Sequence, residues 1–197
     1  MASLEELREI RIKKLESLRQ AGINPYPSKS ERNFLIADAL ADFNNLSQKS
    51  EEVVLAGRLM AMRGQGALIF ADLKDGSGNI QALFKKDNFS EEDFNSVTGF
   101  FDIGDIIEVR WILFITKRGE KTLEVKSFKI LTKSLRPIPS EFYGLSDVEE
   151  RYRKRYLDTL LNEDVKEKFV KRSKIITALR EFYDKNGYLE VEPPILQ

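Results

Sequence analysis

Glycines divide the middle of this chain into short apolar runs, and this spacing limits the possible fold more than any other feature. Eight of the eleven glycines lie between Gly57 and Gly119. Short runs of alternating polarity between glycine-rich turns are typical of β-strands. The pattern predicts strands at residues 53–62, 67–73, 79–84, 105–114 and 123–131, with a helix at 90–100.

The order of these elements indicates one architecture. Three strands, a helix and two strands form the order of a five-stranded Greek-key barrel of the OB type. A shift in apolar parity between Val125 and Phe128 predicts a β-bulge in the fifth strand. OB barrels commonly bind single-stranded nucleic acid on an open face, although the fold alone does not establish that function. The predicted fold class is therefore α+β, mostly β, with helices flanking the barrel.

Helical spacing of apolar residues appears on both sides of the barrel. Residues 3–20 begin with a Ser3/Glu6 capping box, and a second short helix is predicted around residues 34–43. After the barrel, the pattern predicts a charged helix at 147–161, a third helix at 163–186 and a strand at 188–191.

The six prolines fall in three pairs, at 25/27, 137/139 and 193/194, which mark joints between segments. We predict four parts, namely N-terminal helices over residues 1–48, the barrel over 49–133, a linker over 134–146 and the start of another domain over 147–197. An apolar strand without a partner at the end of the sequence predicts a fragment of a longer protein.

Composition excludes several classes of chemistry. Cysteine and histidine are both absent, which excludes disulfides, zinc knuckles, thiol catalysis and Ser-His-Asp catalysis. Lys and Arg total 32 and balance 32 Asp and Glu, so that nucleic acid could bind only through a local patch. No apolar run of membrane-spanning length and no signal-peptide core occur. We expect a soluble, cytoplasmic protein with no membrane partner, no metal site and no catalytic residues in this chain.

Three polar and aromatic residues are predicted to share the open face of the barrel. Alternation places Phe70 on the face of the second strand that lies away from its apolar residues, and it places Gln81 on the corresponding face of the third strand. Arg63 ends the first strand. An aromatic ring, an amide and a guanidinium can stack on one unpaired base and hydrogen-bond its edge. The alternative at this point is that Phe70 is an ordinary core residue and Arg63 only solvated.

Other motifs are weaker. Gly64-Gln65-Gly66 lacks the Lys-Ser/Thr pair of a phosphate loop and is better interpreted as a hairpin. The basic run from Arg151 to Arg155 is flanked by acidic residues, which favours a solvated helix. Glu190 and Glu192 share a strand face, but nothing else completes a site.

Beyond these patterns, the sequence resembles the N-terminal portion of bacterial class II lysyl-tRNA synthetases over nearly its whole length. The matching stretches are Arg11–Pro27, which ends in Gly-Ile-Asn-Pro-Tyr-Pro, then Ala56–Gln81, Leu131–Pro139, Arg151–Asp158 (RYRKRYLD) and Asn186–Leu196. The barrel would be shared with aspartyl- and asparaginyl-tRNA synthetases. The linker and the RYRKRYLD segment are more specific for the lysyl enzymes.

The resemblance implies that the barrel binds the anticodon of a lysine-accepting tRNA. Arg63, Phe70 and Gln81 fall on the family positions that grip the central anticodon uridine. The segment from Glu163 to Pro194 looks like class II motif 1, with Pro194 at the homodimer interface. Motifs 2 and 3, which use ATP and Mg²⁺ to form lysyl-adenylate, would lie beyond this chain, so that the chain alone is expected to be inactive.

Basic side chains near the barrel mouth and on the first helix are expected to add phosphate contacts. The candidates are Arg58, Lys74 and Lys85 on the barrel, and Arg8, Arg11, Lys13, Lys14 and Arg19 on the helix. Three alternatives stay open, namely a free-standing OB protein that binds single strands without sequence preference, the equivalent part of an aspartyl- or asparaginyl-tRNA synthetase, and a regulatory paralogue.

Overall fold

The structure is a computed structural model that describes residues 3–139, 145 and 147–194. The chain divides into two compact units, Met1–Ile138 and Pro139–Gln197, and each is described by itself. The second half of the predicted linker, residues 140–144 and 146, lies outside the described residues.

The first unit is built on a closed five-stranded barrel. Its strands are β1 (Val53–Gln65), β2 (Leu68–Lys74), β3 (Asn79–Lys85), β4 (Ile106–Ile115) and β5 (Lys121–Thr132). Their order around the barrel is β1-β2-β3-β5-β4. The β3–β5 pair is parallel and the other four pairs are antiparallel. The predicted OB-type barrel with flanking helices is therefore confirmed.

Strand β1 closes the barrel because it pairs with two neighbours. Its first half, from Val53 to Arg58, pairs with β4, and the stretch from Arg58 onward pairs with β2. A register shift between Leu59 and Ala61 marks the bend. The predicted bulge in β5 is also confirmed, because the register on β4 passes from Ser127 directly to Val125.

Alternation along the strands fills the barrel. On β2, Ile69, Ala71 and Leu73 are buried, while the residues between them are partly exposed. The largest fully buried apolar side chains of the unit are Phe43, Phe84, Leu18, Ile36, Leu46, Leu55, Leu59, Ile69, Leu73, Ile107 and Leu113. Several of these come from the flanking helices, which cover the barrel where its strands alone would leave apolar surface exposed.

Four helices flank the barrel, namely α1 (Leu4–Gln20), α2 (Ile36–Ala41), α3 (Phe43–Lys49) and α4 (Glu91–Phe100), with a short 3₁₀ helix at Lys86–Asn88. The Ser3/Glu6 capping box is present. One short helix was predicted around residues 34–43, and the structure has two, divided at Asp42. The β2–β3 turn caps α2, because Asp75 Oδ2 accepts the backbone N–H of Ile36 at 3.0 Å.

A buried cluster of charges joins α1, the loop before β4 and the end of β5. Lys133 Nζ lies 2.8 Å from Asp105 Oδ2, and both side chains are fully buried. Lys133 also contacts Asp102, whose other oxygen lies 2.8 Å from Lys14 Nζ. Ser134 donates its backbone N–H to Asp105 Oδ1 at 2.7 Å. Each buried charge therefore has a partner, as a folded protein requires.

The second unit is helical, with α5 (Val148–Arg153), α6 (Arg155–Leu161) and α7 (Glu163–Lys185). The prediction of one continuous charged helix at 147–161 was wrong, because the backbone leaves helical geometry at Lys154 (φ −113°, ψ 49°). Arg151 of α5 and Arg155 of α6 both contact the buried carboxylate of Asp158, at 3.0 and 2.6 Å. The strand expected at 188–191 was also wrong: these residues are in no strand, and a strand requires a hydrogen-bonding partner.

We expect Lys133→Met to lower the free energy of unfolding of the first unit by about 3–5 kcal/mol, because it leaves the buried carboxylate of Asp105 without its cationic partner. Lys86→Met, which breaks the exposed pair with Glu91, is the matched control and should cost at most about 1 kcal/mol. Urea unfolding can be followed by the fluorescence of Trp111, the single tryptophan, which lies on β4. Equal losses in both variants would contradict the prediction.

Asp102 makes the stability of this unit depend on pH. Burial alone would raise its pKa, but hydrogen bonds and charges from Lys133 and Lys14 outweigh burial and hold the pKa below its ordinary value. A carboxyl group with a lowered folded pKa stabilises the fold above its unfolded pKa of roughly 4, and this contribution is lost as the pH falls further.

We therefore expect Asp102→Asn to lower the free energy of unfolding at pH 7 and to flatten its decline between about pH 5 and pH 2. Urea midpoints measured across this range give both quantities. The same pH profile in the variant and the unaltered protein would show that another carboxylate is responsible.

Candidate nucleic-acid interface

Phe70 lies on the outer face of the barrel. Its neighbours on β2, Ile69 and Ala71, point into the core and are 2% and 1% exposed, whereas Phe70 is partly exposed. The prediction that Phe70 faces outward is therefore correct. A partly exposed ring on a rigid strand offers a flat surface on which a base can stack.

Gln81 lies on the same outer face, on β3. Its Cα is paired with Asp72 of β2, and its neighbours Ile80 and Ala82 are buried. Thr122 Oγ1 donates to Gln81 Oε1 at 3.1 Å, and Gln81 Nε2 donates to Glu120 at 3.3 Å. These two contacts fix which way the amide carbonyl and the amide nitrogen point.

Arg63 lies directly across from Phe70, near the end of β1. Its Nη2 lies 3.0 Å from Asp72 Oδ2 and 3.1 Å from Asp72 Oδ1. The Arg63 side chain is 60% exposed and that of Asp72 is 37% exposed. The guanidinium is therefore oriented by a partner and still accessible to a ligand.

The structure thus brings Arg63, Phe70 and Gln81 together on the outer face of β1–β3, as the sequence predicted. We call these three residues the base platform. Together they provide an aromatic surface, a group that donates and accepts hydrogen bonds, and a cationic donor. That combination can bind one splayed-out base of a single strand through its face and its edge.

Arg58, the fourth predicted nucleic-acid contact, has a structural role. Its Nη1 donates to the carbonyl of Gly104 at 2.7 Å, which ties β1 to the loop before β4. Gly104 has φ +105° and closely approaches Ser134, so that a side chain there would be strained. Lys85 contacts Glu124 at 2.6 Å. Phosphate binding by Arg58 remains a prediction.

The five basic residues of α1 divide into two groups. Arg11 is 8% exposed and its guanidinium donates to the backbone carbonyls of Ile103, Ser134 and Arg136 at 3.0–3.2 Å. Lys14 belongs to the charge cluster around Asp102. The fold thus uses these two side chains, while Arg8, Lys13 and Arg19 are exposed.

Sequence reasoning did not include Asp72, Glu120 or Thr122, although each contacts the base platform. No role was predicted for Asp72. Glu120 and Thr122 precede the predicted fifth strand, and they reach Gln81 because β5 pairs with β3 in parallel. The OB strand order predicts that neighbour relation and could have identified both residues.

Pro194, the predicted dimer contact, is exposed in the second unit. Helix α7 in the same unit also exposes a series of apolar side chains, namely Phe169, Val170, Ile175, Ile176, Leu179, Phe182 and Tyr183. Among the described residues, no group of three acidic side chains could hold a metal ion. No helix within the described ranges is both long and apolar enough to cross a bilayer.

Two sequence families match the chain. Residues 53–131, which cover the barrel, match the family described as OB-fold nucleic acid binding domain. Residues 147–197 match the family described as tRNA synthetases class II (D, K and N).

Curated relatives carry the name lysine–tRNA ligase. The protein of Fusobacterium nucleatum subsp. nucleatum is 44% identical over 192 residues, which cover 98% of this chain and 38% of that protein. The protein of Pelotomaculum thermopropionicum is 46% identical over 194 residues, with the same two coverages. The protein of Carboxydothermus hydrogenoformans is 45% identical over 193 residues, which cover 98% of this chain and 39% of that protein.

The chain spans less than two-fifths of the length of these three relatives. Its barrel is therefore similar to OB-fold nucleic acid binding domains and its last part to class II tRNA synthetases, and the chain corresponds in sequence to the N-terminal portion of the lysine–tRNA ligases.

Proposed function

We propose that this chain is the anticodon-binding portion of a cytoplasmic lysine–tRNA ligase, and that the base platform binds the central anticodon uridine. The observation that carries the proposal is the placement of Arg63, Phe70 and Gln81 on one outer face of the barrel. The two family matches and the names of the relatives support it. The whole enzyme would attach lysine to its tRNA through an ATP-derived lysyl-adenylate.

Uracil fits the hydrogen-bonding groups of the platform better than cytosine does. The two bases differ at position 4, where uracil carries a carbonyl acceptor and cytosine an amino donor, and at N3, which is a donor in uracil and an acceptor in cytosine. Gln81 has both a donor and an acceptor, and Arg63 has only donors. In the proposed complex Phe70 stacks on the base, and a donor of Arg63 meets position 4, where it favours the carbonyl of uracil over the amino group of cytosine.

Lysine activation requires ATP and Mg²⁺, which we assign to the part of the relatives that this chain does not cover. Within the described ranges, no three acidic side chains come together in a group that could hold a metal ion. We expect this chain alone to bind tRNA without charging it.

The proposed full-length enzyme is a homodimer whose interface includes Pro194. The apolar side chains that α7 exposes support this proposal, because exposed apolar surface of this extent is typical of interaction sites.

A second function, binding of single strands without sequence preference, is favoured by the partly exposed ring of Phe70, because every base has a face that can stack. The two functions differ in base selectivity. Selectivity for a central uridine would not separate lysyl from aspartyl or asparaginyl enzymes, but the names of the relatives favour the lysyl enzyme.

We expect the chain to bind an anticodon stem–loop with the anticodon UUU more tightly than one with UCU by about 1–3 kcal/mol. Phe70→Ala should weaken binding of the UUU stem–loop by a similar amount, about 1–3 kcal/mol, because it removes the stacking surface. Fluorescence anisotropy with labelled stem–loops gives both differences.

Phe169→Ala is the matched control, because Phe169 is an exposed phenylalanine of the second unit, away from the base platform in sequence. It should leave both affinities unchanged. Equal affinity of the unaltered chain for UUU and UCU would favour the general single-strand binder, and absence of binding to either would contradict the proposal for this chain.

The exposed basic residues of α1 give a second prediction. Replacement of Arg8, Lys13 and Arg19 by Ala should reduce the slope of log K against log salt by about 2, since each phosphate contact contributes roughly 0.7–0.9. Replacement of Lys168, Lys171 and Lys185 on α7 removes the same charge from exposed positions and is the control. An unchanged slope in the α1 variant would exclude this helix from the interface.

A further inference from the structure

We propose that Asp72 is a positioning residue of the base platform: it holds Arg63 beside Phe70 and thereby sets the preference for uracil over cytosine. This inference rests on the proposed function of the platform. It starts from the ion pair in which Arg63 Nη2 contacts both carboxylate oxygens of Asp72, at 3.0 and 3.1 Å.

The location of Asp72 suits this role. It follows Phe70 by two residues on β2, so both side chains lie on the same outer face. Its Cα is paired with Gln81, while Arg63 is paired with Phe70. The ion pair therefore runs diagonally between neighbouring strands, a separation that long side chains span. It draws the guanidinium along β2, toward the side of the platform where Gln81 lies.

A contribution to folding stability does not explain why a carboxylate occupies position 72. Its partner is 60% exposed and Asp72 itself is 37% exposed, and ion pairs so exposed to water contribute little to folding. A negative charge on a surface that binds RNA also repels phosphates. Asp72 thus weakens the general attraction of RNA to this face, which is consistent with a role in selectivity rather than in affinity.

Hydrogen-bond chemistry connects the ion pair to the choice of base. A free carboxylate only accepts hydrogen bonds, so it would attract the amino group of cytosine. With Nη2 of Arg63 on both of its oxygens, the carboxylate of Asp72 already has a hydrogen-bond partner and competes less for that amino group. The same contact holds the guanidinium, which only donates, next to the stacking ring, where it favours the position-4 carbonyl of uracil over the position-4 amino group of cytosine. The Arg63–Asp72 ion pair therefore raises the affinity for uracil relative to that for cytosine.

The test compares the affinities of UUU and UCU stem–loops for Asp72→Ala, Asp72→Asn, Arg63→Ala and the double variant Arg63→Ala/Asp72→Ala. Asp72→Ala should bind both stem–loops at least as tightly as the unaltered protein at low salt, because one negative charge is removed. Its UUU/UCU affinity ratio should fall by about fivefold, the lower end of the contribution of one base contact. Asp72→Asn, which still offers a carbonyl acceptor to Arg63, should recover part of the ratio.

Two further measurements separate positioning from a general charge effect. In the Arg63→Ala background, Asp72→Ala should lower the ratio no further, because the group that it positions is gone. Glu91→Ala removes an exposed carboxylate paired with Lys86 elsewhere on the unit and should leave the ratio unchanged. The urea midpoint of Asp72→Ala should match that of the unaltered protein, which excludes loss of the fold as the cause.

The outcomes distinguish this inference from the proposed function. If the unaltered protein prefers UUU and Asp72→Ala keeps the same ratio, the role of Asp72 is overturned and anticodon reading stands. An Asp72→Ala effect that is fully additive with Arg63→Ala also overturns it. If the unaltered protein binds both stem–loops equally, the proposed function fails, and this inference fails with it.

Discussion

Closure of the barrel is the constraint on which the rest of the first unit depends. An open sheet of five strands would leave two edges with unpaired backbone groups, and closure removes both. Strand β1 makes this possible because its two halves pair with β4 and β2, with a register shift after Leu59. Beyond this shift β1 stays paired with β2, and Arg63 lies across from Phe70.

The charged residues of this chain serve the fold as well as its surface. Arg11, Lys133 and Arg58 are bound to backbone carbonyls or carboxylates, and they connect α1, the loop before β4 and the segment after β5. A buried arginine that satisfies three carbonyls replaces hydrogen bonds that water would otherwise supply. The equal numbers of acidic and basic side chains therefore do not mean that every basic residue is available to an anionic ligand.

Local pattern in the sequence was sufficient for much of the barrel and for the outward direction of the platform. Period-two alternation decides which face Phe70 and Gln81 occupy, and the parity shift in β5 identified its bulge. Contacts between residues distant in sequence were not predictable in this way. In the sequence, a basic residue on a helix that is solvated cannot be told apart from one that binds a distant backbone carbonyl. Arg11 is of the second kind, because it donates to a carbonyl more than 90 positions away. Composition likewise reveals neither the break at Lys154 nor the burial of Asp158.

The parallel pairing of β3 with β5 has a consequence for how the barrel assembles. It joins Gln81 to Thr122, about 40 positions along the chain, so this seam forms only when distant parts of the polypeptide meet. Phe70, by contrast, lies on a hairpin of adjacent strands. Contacts of long sequence separation are costly in chain entropy and form slowly. A barrel that opened at this seam would keep its stacking ring while its amide lost orientation. The orientation of the Gln81 amide thus depends on the closed barrel, whereas the position of the Phe70 ring depends on the hairpin.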